Sequence, residues 1–330
     1  MGRGTGSAVR LSVVVPAFNE EKRIVDGLEE LMAVLDAATT EIVVVDDGST
    51  DDTVPVAEDA LVNWPRKSVL SLPSNAGKGA AVKAGVVAAS GSTIVFMDAD
   101  MSTDLRDLQL LLTALDTAHV AIGSRSHESS DVVRRPPLRA LMNRMFGMLV
   151  ATTTTLPYMD TQCGFKAFRA PVAKLLFHGL TVERFGFDAA LLDLATRLGL
   201  LIQTVPVRWS DIDGSHVEPV RHGLETAEEV LKMRLSWSRI PPLLGIWFED
   251  STTNGVEQEL GGLLEPTDLV VKWRQGAAVL LPCETPSTAH RRLAQMAVAA
   301  STSATPLEVP YQSLLAPRFG TFERPMVVGL

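Results

Sequence analysis

Short apolar runs alternate with segments of helical periodicity along the first two thirds of the chain. The runs predict buried strands at residues 11–15, 41–45, 68–72, 94–97, 120–122 and 200–207. Between them, apolar residues three or four positions apart predict helices, the first of which carries Ile24, Leu28 and Leu31 on one face. Strands that alternate with helices in this way are typical of βαβ units. We therefore predict an α/β fold with a mostly parallel sheet.

Polar side chains follow three of the predicted strands at the point where each strand ends. Asn19 and Glu20 come after the first strand, Asp47 after the second, and Asp98 and Asp100 after the fourth. Open α/β sheets bind their ligands at the carboxyl ends of the strands. Acidic residues at several ends of one sheet therefore indicate a nucleotide pocket.

Asp98 and Asp100 admit two interpretations. Two carboxylates at this spacing can share one divalent cation, and that cation can neutralise a diphosphate. The alternative is an acidic turn that caps a helix beginning near Ser102. The spacing alone does not separate the two interpretations, whereas the acids at the neighbouring strand ends favour the metal site.

Two basic features accompany these acids. Lys78 stands between two glycines at the predicted start of a helix, where it either meets a phosphate or is solvated beside a simple turn. Arg134, Arg135 and Arg139 form a cluster in a proline-containing loop that leads into a predicted helix. Such a run is usually a solvated face. In an acidic chain it favours an anionic acceptor, because arginine matches phosphate geometry.

Two further motifs carry polar residues later in the chain. Gln162 and Cys163 lie in a loop where Gly164 allows a close approach to the backbone. We interpret Cys163 as a small buried thiol, because no histidine stands near it in the sequence. Asp188 begins a strongly periodic helix, so it either caps that helix or directs its carboxylate into the pocket.

Composition limits the class of protein. The chain has 330 residues with 46% hydrophobic content, which allows a sizeable core, and its net charge of −9 argues against a nucleic-acid partner. Its two cysteines, Cys163 and Cys283, lie far apart and fit a reducing, cytoplasmic setting. Residues 1–10 lack the apolar core of a secretory signal, and no stretch reaches the roughly eighteen apolar residues that span a bilayer.

Taken jointly, these motifs resemble the signature of the family 2 glycosyltransferases. The stretches that carry the resemblance are residues 12–21, 45–49 and 98–100. Later stretches resemble the polyprenyl-phosphate glycosyltransferases, most closely the dolichyl-phosphate β-glucosyltransferase branch; they are residues 123–125, 160–166 and 183–188. The resemblance implies a GT-A fold, a Rossmann-like mixed and mostly parallel sheet flanked by helices.

The resemblance ends near residue 237, so we predict three segments. They are a disordered N terminus at residues 1–10, a GT-A glycosyltransferase domain at 11–240 and a C-terminal extension of unknown role at 241–330. Within the extension, the pattern predicts a hairpin at residues 269–281 and an amphipathic helix at 291–299.

The resemblance also implies how the donor is held. The residues that would line the nucleotide-sugar pocket are Pro16, Ala17, Glu20, Asp47, Lys78 and Asp98. Asp47 would contact the nucleotide base. Asp100 would bind Mg²⁺ or Mn²⁺ on the donor diphosphate, with Asp98 as a second metal ligand or as a contact to the sugar.

On the acceptor side, the resemblance implies an arginine-rich phosphate site. Its members would be Arg125 together with one or more of Arg134, Arg135 and Arg139. Gln162, Asp188 and Arg125 would be the catalytic group, with Gln162 and Asp188 approaching the sugar or the reaction centre.

The implied reaction is a metal-dependent, inverting transfer of a hexose from UDP-glucose or GDP-mannose to a polyprenyl phosphate. A phosphate acceptor is already anionic, whereas a hydroxyl acceptor would need a general base, for which Asp188 is the candidate. Two alternatives stay open: a soluble hydroxyl acceptor such as a natural-product intermediate, and a non-catalytic nucleotide-sugar-binding protein. Membrane contact would be peripheral, through the basic loop and an apolar patch at residues 240–248.

Overall fold

The predicted strands and helices can be compared with a computed structural model of the protein. The structure describes residues 9–133, 160–184, 186–210, 228–229, 243–249, 251–265, 268–273, 276–282, 286–300, 304–309 and 326–327. The predicted arginine cluster of Arg134, Arg135 and Arg139 lies outside these residues, as do Cys283 and most of the predicted disordered N terminus. The chain divides into two units, residues 1–169 with 180–233 and residues 170–179 with 234–330.

The first unit is built on a seven-stranded sheet. Strands in this unit are β1 (Leu11–Ala17), β2 (Thr40–Asp46), β3 (Lys67–Ser71), β4 (Thr93–Met97), β5 (Val120–Ser124), β6 (Asp131–Val133), β7 (Phe165–Arg169), β8 (Ile202–Pro206) and β9 (Arg208–Ser210). The sheet has the order β3-β2-β1-β4-β7-β5-β8, while β6 and β9 form a separate parallel pair. β7 runs antiparallel to β4 and β5, and the other pairs in the sheet are parallel. The predicted α/β fold with a mostly parallel sheet is confirmed.

Helices cover the sheet and follow the predicted apolar periodicity. Those of the first unit are α1 (Ile24–Val34), α2 (Thr53–Ala60), α3 (Lys78–Ala88), α4 (Leu108–Ala114) and α6 (Phe187–Arg197), whereas α5 (Ala170–Gly179) belongs to the second unit. The helix expected near Ser102 begins instead with a 3₁₀ turn at Leu105–Asp107. Its cap is Asp104, which accepts the backbone N–H of Arg106.

The buried core of this unit fixes where the site lies. Valines of β1, β2 and β4 are fully buried, among them Val13, Val44 and Val95, as expected for parallel strands covered on both faces. Because these three strands are parallel, their carboxyl ends meet at one edge of the sheet. That edge carries the loops that begin after Ala17, Asp46 and Met97.

The second unit has a five-stranded antiparallel sheet. Besides α5, its elements are β10 (Leu243–Phe248), α7 (Thr253–Leu260), a 3₁₀ turn (Gly261–Leu263), β11 (Leu269–Trp273), β12 (Gly276–Leu281), α8 (Pro286–Ala299), β13 (Ala304–Val309) and β14 (Met326–Val327). The order is β13-β10-β12-β11-β14. The predicted hairpin is the β11–β12 pair, and the predicted amphipathic helix is α8, five residues longer at its start.

The apolar patch predicted as a membrane contact is part of this sheet. Residues 243–248 form β10, in which Leu243, Ile246 and Phe248 are fully buried. Ile246 and Phe248 belong to one core cluster with Leu293 and Met296. The protein itself covers these three side chains, while Leu244 and Trp247 are half-buried, so the predicted peripheral membrane contact of this patch stays a prediction. In the described part of the chain, no helix is long and apolar enough to cross a membrane.

Candidate active site

Asp47 is the first acid of the site and lies just beyond β2. It is 3% exposed, and its carboxylate accepts hydrogen bonds from the backbone N–H groups of Ala76 at 2.8 Å and Gly77 at 2.9 Å. Burial raises the pKa of Asp47, and these two backbone donors oppose that rise. The carboxylate thus joins the end of β2 to the loop that precedes α3. Its predicted contact with a nucleotide base stays a prediction.

The residues predicted beside Asp47 come from the end of β1. Pro16 and Ala17 are buried, and the carbonyl of Ala17 accepts the backbone N–H of Asp47 at 2.8 Å. Glu20 instead turns toward Arg23, whose guanidinium donates to both carboxylate oxygens at 2.8 Å. Ala17 and Asp47 are therefore adjacent as predicted, while the carboxylate of Glu20 already has a cationic partner.

Asp98 and Asp100 follow β4 and lie beside Lys78. The ammonium of Lys78 is 2.5 Å from Asp98 Oδ1, and Asp100 Oδ1 accepts the backbone N–H of Ser102 at 3.0 Å. Burial raises the pKa of Asp100, and the negative charge of Asp98 adds to the rise. Neither acid caps the following helix, because Asp104 has that role. The structure thus removes the capping alternative without itself testing a metal.

The glycines that flank Lys78 pack tightly against residues 182–184 and Phe187. A Cβ on Gly77 would lie 2.6 Å from the carbonyl oxygen of Glu183, and one on Gly79 would lie 2.7 Å from Phe187 Cβ. Gly77 also has φ +110°, which disfavours any other residue. Burial opposes the charged form of Lys78, but Asp98 and the other nearby carboxylates outweigh it and raise its pKa. Lys78 is therefore a permanent cation of the site rather than a solvated turn residue.

Asp188 lies in the first turn of α6 and is paired with a buried lysine that the sequence prediction did not use. Its Oδ1 is 2.5 Å from Nζ of Lys166, which is fully buried and also donates to the carbonyl of Cys163 at 2.6 Å. Burial raises the pKa of Asp188, and the charges of Lys166 and Lys78 oppose the rise. The N-cap of α6 is Gly186, so Asp188 does not cap this helix.

Arg125 is occupied by a buried carboxylate. Its Nε and Nη2 donate to the two oxygens of Asp160 at 2.8 and 2.6 Å, and its backbone N–H donates to Asp160 at 2.7 Å. The guanidinium also lies 5.5 Å from the ring centroid of Trp209. Burial opposes the charged form of Asp160, but Arg125 outweighs it and lowers the pKa of Asp160. The predicted acceptor-phosphate role of Arg125 stays a prediction.

Gln162 and Cys163 belong to the loop between Asp160 and β7. Gln162 is half-buried, and its predicted approach to the sugar stays a prediction. Cys163 is 1% exposed, and burial raises its pKa to about 11, so the interpretation as a small buried thiol is confirmed.

A cavity of about 840 Å³ adjoins the loop after β4. It is lined on one side by α1, on the other by the 3₁₀ turn and β9, and it reaches Asp100 and Ser102. Its size is within the range of small-molecule sites. Asp100 therefore has open space beside it. In the described part of the chain, no group of three or more histidine, cysteine, aspartate or glutamate side chains is arranged to hold a metal by itself.

Known proteins are similar to this chain in sequence and in fold. Dolichyl-phosphate beta-glucosyltransferase of Drosophila melanogaster is 38% identical over 261 residues, covering 73% of this chain and 77% of its own length. The human protein of the same description is 34% identical over 260 residues, covering 74% and 79%.

Among solved structures, glucosyl-3-phosphoglycerate synthase of Mycobacterium tuberculosis matches with a TM-score of 0.52 and 25% identity, covering 71% of this chain and 82% of that chain. It has also been crystallised with Mn²⁺, uridine-diphosphate-glucose and phosphoglyceric acid. A family model described as glycosyl transferase family 2 matches residues 12–177. The resemblance drawn from the motifs is confirmed: the chain belongs to the family 2 glycosyltransferases and is a hexosyltransferase with a GT-A fold.

Proposed function

We propose that this protein transfers glucose from UDP-glucose to a polyprenyl phosphate, with inversion at the anomeric carbon and with the help of a divalent cation. The observation that carries the proposal is the similarity to dolichyl-phosphate beta-glucosyltransferases over roughly three quarters of both chains. Those relatives favour glucose over the mannose that the sequence left open.

The chemistry of the acids after β4 supports the metal. Asp98 and Asp100 offer carboxylate oxygens, which are the ligands that Mg²⁺ and Mn²⁺ prefer. Two side chains leave coordination positions for diphosphate oxygens and water. When bound, the cation would supply Lewis acidity to the leaving nucleoside diphosphate.

The balance of charge fits the same donor. The cluster contains three carboxylates and two ammonium groups, of which Asp188 and Lys166 are buried and Asp98, Asp100 and Lys78 are half-buried. With all five ionised, the cluster has one net negative charge, so it attracts a divalent cation. Once that cation is bound the net charge becomes one positive, which favours an anionic diphosphate.

The surroundings of Asp188 support a phosphate rather than a hydroxyl acceptor. Its carboxylate is 3% exposed and is held 2.5 Å from the ammonium of Lys166. Because this carboxylate is buried and already held by Lys166, it would have to leave its ion pair to reach the hydroxyl of an acceptor. A polyprenyl phosphate needs no general base. In this proposal Asp188 orients the sugar, and the acceptor places the reaction at a membrane surface.

The test is transfer of radiolabelled glucose from UDP-glucose to phytanyl phosphate, a short polyprenyl-type acceptor. We expect a glycolipid product that stops forming with EDTA and reappears when Mn²⁺ is added in excess. Matched reactions contain GDP-mannose as donor, or 3-phosphoglycerate as a soluble hydroxyl acceptor. Turnover with 3-phosphoglycerate alone would favour a second candidate function, which is transfer of glucose to a soluble hydroxyl acceptor. The fold similarity to glucosyl-3-phosphoglycerate synthase suggests this candidate. Binding of UDP-glucose without transfer to any acceptor would instead support a non-catalytic nucleotide-sugar-binding protein.

A further inference from the structure

We propose that Gly164 is a positioning residue for Asp98: the space left by its missing side chain holds the Asp98 carboxylate against Lys78. The donor-binding consequence of this inference rests on the proposed function, whereas its structural consequence does not. Gly164 lies in the loop just before β7, and Asp98 lies just after β4, the strand that pairs with β7.

The contact between the two residues is unusually close. The backbone N–H of Asp98 donates to the carbonyl of Gly164 at 3.2 Å, which continues the β4–β7 ladder by one step. A Cβ built on Gly164 would overlap Cγ and both oxygens of the Asp98 carboxylate, all far inside the 3.0 Å that real Cβ atoms respect. The carboxylate therefore lies directly against the Cα of Gly164.

Position 164 requires glycine because a larger side chain would occupy the space of the Asp98 carboxylate, and not because of its backbone conformation. Gly164 is absent from the described glycines with positive φ, which are Gly48, Gly77, Gly199 and Gly261. An alanine could adopt the same backbone conformation. Its methyl group, however, could not share the volume that the Asp98 carboxylate occupies.

The loop has little freedom to retreat from such a methyl group. The carbonyl of Cys163 accepts the Lys166 ammonium at 2.6 Å, and Asp160 is held by two guanidinium nitrogens and the backbone N–H of Arg125. The Asp98 carboxylate, in contrast, is the end of a side chain and can rotate. An alanine at position 164 is therefore expected to move Asp98 away from Lys78 while the backbone stays in place.

The first arm of the test is a crystal structure of Gly164→Ala beside that of the wild type. We expect the Asp98 carboxylate to rotate so that its oxygens lie beyond 4.0 Å from Lys78 Nζ, the limit for an ion pair. We expect the loop and β7 to keep their path. Asp98 remaining on Lys78 while the loop shifts would overturn the inference. This arm gives an answer whether or not the protein transfers glucose.

The second arm measures Mn²⁺ affinity by electron paramagnetic resonance in the presence of UDP-glucose. Gly164→Ala is expected to weaken Mn²⁺ binding about 10- to 100-fold, as is usual when the partner that orients a metal ligand is lost. The control is Gly199→Ala, because Gly199 has φ +73° and nothing within 4 Å of an added Cβ. That variant should lose stability and keep its Mn²⁺ affinity.

A double-mutant cycle separates positioning from a general loss of structure. In an Asp98→Ala background no carboxylate is left to displace, so adding Gly164→Ala should change Mn²⁺ affinity less than threefold, or about 0.65 kcal/mol. An equal loss in both backgrounds would overturn the inference. Wild-type protein that binds neither Mn²⁺ nor UDP-glucose would instead refute the proposed function, and the crystal structures would still decide the role of Gly164.

Discussion

Lys166 shows how much of the site depends on a side chain that no local pattern identifies. It lies in β7, is fully buried and bridges the Cys163 carbonyl and Asp188. Isolated buried charges are strongly unfavourable, so each ion of this pair depends on the other. The sequence does show a lysine between apolar residues in a short run. Its partner is 22 positions away, and only the folded packing of α6 against β7 brings the two together.

We expect Lys166→Met to lower the free energy of unfolding by about 3–5 kcal/mol, because it leaves the carboxylate of Asp188 buried beside Lys78 alone. Denaturant titration followed by tryptophan fluorescence would measure the loss. The matched control is Lys166→Met with Asp188→Leu, which removes both charges and should recover most of the stability. A double variant as unstable as the single one would contradict the interpretation.

Other residues of the site could be predicted because their signal is local. Asp47, Asp98 and Asp100 stand directly after apolar runs, so their place at the sheet edge follows from the strand pattern alone. The two interpretations of Asp98 and Asp100 could not be separated in the same way. They were separated by Asp104, whose side chain caps the 3₁₀ turn.

At the scale of elements, apolar runs predict strands well until a proline or charged residues interrupt the run. The run at residues 94–97 corresponds to β4 at Thr93–Met97. The run at 200–207 is interrupted near Pro206, beyond which the chain forms β9 in a different sheet. β7 was not predicted as a strand, because its five residues include two cations, and nothing local specifies its antiparallel direction.

The packing of α3 on α6 is an element-scale feature that can be tested at Gly79. Alanine there would bring a Cβ to 2.7 Å from Phe187 Cβ and 2.8 Å from the Glu183 carbonyl oxygen, so α3 must move. We expect Gly79→Ala to destabilise the protein by about 1–3 kcal/mol despite alanine's better helix propensity. Thermal unfolding would measure it.

The control for that measurement is Gly255→Ala in α7, where an added Cβ meets only Thr252 Oγ1 at 3.1 Å. It should leave stability unchanged or raise it by up to about 1 kcal/mol. Equal melting temperatures for Gly79→Ala and the wild type would mean that α3 and α6 can separate without loss.

At the scale of the whole molecule, the chain is acidic and keeps several of its acids in buried ion pairs. Arg125 with Asp160 and Lys166 with Asp188 hold their members at 2.5–2.6 Å. Acid denaturation acts on such groups, since protonating a paired carboxylate leaves the cation without its partner. The second unit could be predicted only as a hairpin and a helix, because its sheet pairs strands that are distant in sequence.

The Arg125–Asp160 pair gives the stability of the molecule a definite dependence on pH. The pKa of Asp160 in the folded protein is below the ordinary value of 3.8, so folding favours its ionised form. The resulting stabilisation is complete well above pH 3.8 and is lost as the pH falls through the lowered folded pKa.

We therefore expect the wild type to have a higher free energy of unfolding than Asp160→Asn, and we expect this difference to be largest near neutral pH. The difference should shrink once the pH falls below 3.8, the ordinary pKa of an aspartate. Urea titrations of both proteins across that range would measure it. A difference that grows on acidification would contradict the assigned direction of the pKa shift.

The antiparallel direction of β7 has a consequence for how such an enzyme can diversify. A strand that runs against its neighbours starts at the edge where they finish, so the chain leaves the sheet after Ser124 and re-enters it at Phe165 on the same side. The connection between Ser124 and Phe165 therefore begins and ends at the edge of the sheet that carries the candidate active site. Insertions, deletions or replacements between those two points leave the register of the seven strands intact. One sheet can in this way carry connections of different length at the same edge.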